Sequence, residues 1–211
     1  AQNEVFSRNQ VGAMSAGAEN LIHTTQKILL QCPNCDVVSA DAIKAYYNLN
    51  RDIALDILKN SCHEVFNIMQ KYNNNANAFI CGMRDGVLNL QQSEGGSPGS
   101  PEMSFFYELG ISTFIKNIDD LLRSTNASIS DQGIVMSYID DLYWAAPFQK
   151  MIEVIKYVQL NGPKYGYTLN MNKCKYLMAP SVILDEIELN RRLNIIMELG
   201  FPMSKVTFYG P

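Results

Sequence analysis

Three aspartates carry the chemistry this sequence offers. Asp140 and Asp141 stand side by side between two apolar runs, Ile134–Val135–Met136 before them and Leu142 and Trp144 after. Adjacent carboxylates among buried neighbours need compensation, because an ionised group taken out of water is costly unless it is paired. Aspartate is also a favoured turn residue, so a solvated hairpin tip would account for that pair alone. Asp41 changes the balance. It follows the strand-like stretch VVSA and would meet the pair if the two strands lie side by side. Its competing use is as a helix N-cap, for which Asn48 is better placed. Carboxylates converging from strand ends make an all-oxygen site suited to Mg²⁺ or Mn²⁺; zinc prefers histidine and cysteine. Two such ions, roughly 3.5–4 Å apart, activate an attacking hydroxyl and stabilise the leaving oxygen of an in-line phosphoryl displacement. Nucleotidyl transfer is the chemistry to which these acids point.

The elements that must position them can be read from periodicity. Residues 16–31 show helical spacing, and CPNC then ends the helix before a strand at Asp36–Ala40. The pattern from Leu49 to Lys71 is helical, with a break near Ser61–Cys62. Residues 77–83 and 87–92 flank Arg84–Asp85–Gly86, an Asp-Gly hairpin signal. A Gly/Pro/Ser loop then opens a long helix from Pro101 to Ser124. GIVMSYIDDLYWAA reads as a second hairpin, with Asp140–Asp141 at its tip. Pro147 starts a helix that Gly162–Pro163 stops. A short strand pair around Leu169 and Cys174–Ala179, a helix near Ile183–Leu199 and a strand at Val206–Tyr209 complete the chain. This order predicts an α+β fold, an antiparallel sheet with helices on one face.

Composition bounds the rest. With 211 residues, 47% hydrophobic and 18% charged, the chain can bury a core, and disorder, collagen and repeat solenoids are excluded. No apolar run reaches the ~18 residues of a membrane helix, and the first 30 residues lack the features of a signal peptide. The net charge of −4 gives no global basic footprint for nucleic acid. Five cysteines, Cys32, Cys35, Cys62, Cys81 and Cys174, suggest free thiols in a reducing compartment. Cys32 and Cys35 have zinc-ligand spacing, but Cys62–His63 cannot complete the site, since neighbours on a helix point about 100° apart.

Six motifs occur in order: NQVGAMSAGAENLIH (9–23), DAIKAYYNLNR (41–51), GGSPGSP (95–101), YIDD (138–141), YTLNMNKCKYLM (167–178) and VTFYG (206–210). Together they resemble those of reverse transcriptases, in particular the non-LTR retroelement branch, over nearly the whole chain. YIDD is similar to the polymerase YxDD box. Asp41, Ala45, Tyr46 and Arg51 fall in register with the family's metal-binding strand motif. GGSPGSP resembles the loop before the template-packing helix, without its usual glutamine. Leu169, Asn170 and Lys173 match the L-N-x-x-K segment, and VTFYG resembles the primer-grip strand. Gln10, Gly12, Gly17, Glu19 and His23 match an upstream Q-x-G segment.

The resemblance implies a palm in which Asp41 and Asp140 hold two Mg²⁺ or Mn²⁺ ions, with Asp141 beside them as the supporting acid. Ala42 would offer its carbonyl to a metal, and the Tyr46 ring would clash with a ribose 2′-hydroxyl, favouring dNTPs. Gly95, Gly96 and Pro98 would let backbone approach the nascent base pair, and Lys173 would protonate pyrophosphate. Arg51 would pair a nearby acid, and His23 would sit on a helix face, both in structural roles. The implied organisation is a partial fingers segment (1–35) and a palm (36–211). The palm comprises the metal-binding strand 36–42, loop and helix 94–124, the YIDD hairpin 133–146, helix 147–162, and the Lys173 segment with primer-grip strand 168–210. The chain starts too late for the full fingers hairpin and ends before a thumb, so a fragment of a retroelement polyprotein is expected; the missing basic parts would account for its acidity. An RNA template, a DNA primer and dNTPs are the implied partners, with no membrane role and a nuclear or cytoplasmic location. The competing reading is a catalytically silent, reverse-transcriptase-like module that binds RNA or a protein. A viral RNA-copying polymerase is disfavoured by Tyr46 and by Tyr138–Ile139 before the acids.

Overall fold

The computed structural model describes residues 6, 8–75, 78–83, 86–91, 94–96, 99, 101–123, 133–179 and 185–208. Seven helices and seven strands occur among them: α1 (Gly17–Gln31), β1 (Cys35–Ala40), α2 (Ala45–Asn48), α3 (Arg51–Ser61), α4 (His63–Asn75), β2 (Ala78–Met83), β3 (Gly86–Gln91), α5 (Pro101–Arg123), β4 (Ile134–Tyr138), β5 (Asp141–Pro147), α6 (Phe148–Asn161), β6 (Lys175–Met178), α7 (Glu186–Glu198) and β7 (Val206–Phe208). Strands β4-β5-β1-β6-β7 form one sheet and β2-β3 a separate hairpin.

Alternation along the strands divides the large sheet into two faces. Val38, Ala40, Val135, Leu142, Trp144 and Ala146 belong to the main core with α5 and α6. The other face, through Val37, Met136, Tyr143 and Ala145, meets Thr25 and Ile28 of α1. Helix α5 is the pillar of the core: Phe106, Tyr107, Leu109, Ile111, Phe114, Ile115, Ile118 and Leu122 are all buried. A helix so broadly apolar must be enclosed by its neighbours. Phe148, Met151, Val154, Ile155 and Val158 supply the inner face of α6.

Four expectations are corrected. The sheet is mixed, because β7 runs parallel to β6; strand direction depends on where the intervening helix α7 returns the chain, which periodicity does not encode. Leu169 does not pair with Cys174–Ala179 but bridges Ala42, since a tight turn separates them, with Lys173 N–H (2.8 Å) and Cys174 N–H (3.0 Å) donating to the Asn170 carbonyl. The N-cap of α3 is Asn50, whose side chain accepts from the Asp52 and Ile53 amides; Asn48 donates to the Ile43 carbonyl at 2.7 Å. Asn48 itself closes α2, four residues that were not anticipated. The Arg84–Asp85 turn, Pro98 and Tyr209 lie outside the described residues.

Asp36, at the start of β1, is fully buried. It accepts from the Tyr176 hydroxyl at 2.6 Å and the Ala179 amide at 2.7 Å, with the Arg192 guanidinium 3.9 Å away. Arg192 in turn lies over the Phe148 ring, 4.4 Å from its centroid. This network ties β1 and β6 to α7.

Candidate active site

The register of the sheet brings the three aspartates to one end. Ala40 of β1 pairs with Leu142 of β5, so Asp41 and Asp141 follow together at the same end of the two strands. Tyr138 pairs with Asp141, which leaves Ile139 and Asp140 as the turn between β4 and β5. Burial, then the charges of Asp140 and Asp41, push the Asp141 carboxyl above its usual range, while a hydrogen bond with Tyr143 acts in the opposite direction.

Asp41 is held by its backbone and incompletely satisfied at its side chain. Its carbonyl accepts from the Asn170 amide at 2.8 Å, and the Cys174 thiol lies 3.8 Å from the same oxygen. Lys173 Nζ stands 3.5 Å from Asp41 Oδ2 and is 66% exposed. Oδ1 is buried with no hydrogen-bond partner. The Asn170–Cys174 turn, anchored by the Ala42–Leu169 bridge, is therefore what carries Lys173 to the acids.

Tyr46, on α2, packs at 5.3 Å between ring centroids against Tyr107, and its hydroxyl lies 3.4 Å from Ser104 Oγ. Burial, followed in order by effects that include the charge of Asp140, raises its phenol. The loop at Gly95–Gly96 docks directly on this segment, with Gly95 N–H donating to the Leu49 carbonyl (3.0 Å) and Gly96 N–H to that of Tyr46 (2.7 Å). Gly95 has φ +60°, and a Cβ there would come within 2.2 Å of the Tyr46 and Tyr47 carbonyls. Gly95 thus lets the loop approach the backbone of the Tyr46–Tyr47 segment, while a Cβ at Gly96 would meet the Met103 side chain. Arg51 donates to the carbonyls of Gly95 and Glu94 and fastens the same loop. His23 is exposed on α1.

One residue under the turn escaped the sequence reading. Glu108, in the middle of α5, is 3% exposed and accepts the Ile139 N–H at 3.2 Å. Burial lifts its carboxyl to about 7. Ile139 stands at φ +57°, where a β-branched residue costs on the order of 1–3 kcal/mol unless its surroundings hold it. A hydrogen bond is worth about 0.5–1.5 kcal/mol net, so this contact can offset part of the strain. A charged residue on an otherwise apolar helix face was the available signal.

Oxygen donors, mutual repulsion among acids and the unpartnered Asp41 Oδ1 fit a hard divalent cation. The acids do not form a ready cage: among the described residues no three His, Cys, Asp or Glu side chains stand together as a metal-holding group.

Comparison with solved structures places the fold. Apo telomerase from Candida tropicalis matches with a TM-score of 0.62 and 13% identity, covering 82% of this chain and 34% of that one. The fold is that of a reverse-transcriptase-like palm. Telomerase from Candida tropicalis in complex with a fragment of telomeric RNA matches at 0.60 and 14%, over 80% of this chain and 30% of that one. Telomerase from Candida albicans, also with a telomeric RNA fragment, matches at 0.61 and 11%, over 80% and 32%. The chain spans about a third of the length of these telomerases. No protein-family model and no curated protein sequence matches it. Among the described residues no helix is long and apolar enough to cross a membrane.

Proposed function

We propose that this chain is the palm of an RNA-directed DNA polymerase that joins a deoxynucleotide to a primer 3′-hydroxyl on an RNA template, within a retroelement polyprotein of the non-LTR type. The observation that supports this most is Asp41 at the shared end of β1 and β5, with a buried Oδ1 that nothing in the fold satisfies. Asp41 and Asp140 would hold two Mg²⁺ or Mn²⁺ ions, with Asp141 beside them and the Ala42 carbonyl in reach. When bound, the ions supply activation of the primer hydroxyl and neutralisation of charge on the phosphates.

The chain's own residues orient the reactants and move the proton. Tyr46, packed on Tyr107 and close to Ser104, would exclude a ribose 2′-hydroxyl with its ring. Gly96 lies in the loop beside it, and Gly96 and Pro98 would let backbone approach the nascent base pair. Lys173, whose Nζ lies 3.5 Å from Asp41 Oδ2, would protonate the departing pyrophosphate oxygen.

The test is primer extension with Mg²⁺, dNTPs and an RNA template by the protein in its full open reading frame. Activity lost in Asp140→Ala supports the proposal, and equal activity in that variant ends it. The second reading, a silent RNA- or protein-binding module, is favoured by the Lys173–Asp41 ion pair, in which a lysine occupies one metal-ligand oxygen. Retention of RNA binding without any Mn²⁺- or Mg²⁺-dependent rise in thermal midpoint would support it.

A further inference from the structure

The turn that presents Asp140 is held by a device that the proposed chemistry does not use. Ile139 keeps its left-handed backbone with its N–H on Glu108 Oε1, 3.2 Å away. Two further parts close around that contact. A Cβ at Gly12 would lie 2.1 Å from Glu108 Oε1 and 2.6 Å from Ile139 N, so only glycine fits there. Gln10, fully buried, donates from its side chain to the Glu108 carbonyl and bridges Ser137 of β4, whose amide donates to the Asn9 carbonyl at 2.9 Å. The start of the chain, the middle of α5 and the tip of the hairpin therefore converge on one amide.

A solvent-facing turn needs no such support, since water would satisfy its N–H. Burying a carboxylate for one amide makes sense where the conformation itself must be kept. We propose that Glu108 is a positioning residue: by holding the Ile139 amide in the left-handed turn, it sets where the Asp140 carboxylate points. This rests on the polymerase reading of the same site.

Glu108→Ala removes the acceptor, while Glu108→Gln keeps a carbonyl oxygen in its place. Two measurements test the pair. In primer extension, the alanine variant is expected to lose kcat on the order of 100-fold, with KM for dNTP changed less than about threefold; the glutamine variant should recover most of the loss. In amide hydrogen exchange, Ile139 should exchange at least about tenfold faster in Glu108→Ala and near the wild-type rate in Glu108→Gln. Full kcat in Glu108→Ala, or an unchanged Ile139 exchange rate, overturns the proposal. A global loss of structure in the alanine variant would speed exchange at every amide; an unprotected Ile139 in Glu108→Gln, with other amides protected, then overturns it. If the wild-type protein extends no primer, the polymerase reading fails, and Ile139 exchange alone decides whether Glu108 holds the turn.

Discussion

Strand β1 carries an aspartate near each end, and their surroundings are opposite. At Asp36 both carboxylate oxygens have a short donor, the Tyr176 hydroxyl and the Ala179 amide, with Arg192 behind them. Burial nonetheless raises the Asp36 carboxyl, the partners lowering it only in part. At Asp41 the backbone is anchored, but one side-chain oxygen faces an exposed lysine and the other is buried without a partner. Leaving a buried acceptor unsatisfied costs about 1–3 kcal/mol. The fold satisfies one acid fully and leaves an oxygen of the other, five residues away, without a partner; the first ties β1 to β6 and α7, and the second is the one the proposed function assigns to a cation.

Substitutions should separate the two acids. Asp41→Asn should reduce primer extension to background while moving the urea midpoint by less than about 1 kcal/mol, since repulsion from Asp140 and Asp141 is relieved. Asp36→Ala should do the reverse. It strands the Tyr176 hydroxyl, the Ala179 amide and Arg192, costing about 3–5 kcal/mol in urea unfolding; activity per folded molecule should persist. Mn²⁺ at about a hundredfold excess over its dissociation constant should stabilise the protein by about 2.7 kcal/mol. Asp41→Asn should abolish that gain, and a similar gain in the variant would sever Asp41 from the metal.

Glu108 supplies a smaller, pH-dependent effect. Its carboxyl titrates at about 7 when folded against an ordinary 4.5, so the folded state holds the proton more tightly. Stability present below about pH 4.5 is then lost as pH rises through 7, by about 1–2 kcal/mol after solvent screening. Thermal midpoints at pH 5 and pH 8 should converge in Glu108→Gln. The smallest effect on stability is expected at Lys173, whose exposed ion pair is worth under about 1 kcal/mol. Lys173→Met should leave the unfolding curve in place while slowing extension.

Much of this was legible in sequence because it is local. The apolar periods of α1, α3, α4, α5 and α6, the break at Cys62 and the Asp-Gly hairpin are all encoded within a few residues, and each element formed where its pattern lies. What stayed hidden is relational. Four residues of α2 are too few to show a period. The parallel pairing of β7 depends on the return path of α7, and the Ala42–Leu169 bridge joins segments far apart in the chain. The partners of Asp36 and Glu108 likewise lie far along the chain. Only the packing of β6, α7 and the YIDD turn against them turns each into a buried hydrogen-bond acceptor. The aspartates of the site were visible because two lie adjacent and the third closes an apolar strand.

The bridge from Gln10 to Ser137 has a further consequence. Strand β4 ends the order of the five-stranded sheet, and outermost strands left bare recruit copies of themselves. The short run at Asn9–Gln10 lies against β4 like a selvedge on cloth. Removing the first dozen residues would therefore be expected to bare that edge and to loosen the hold on Glu108 together, seen as self-association in light scattering alongside faster Ile139 amide exchange.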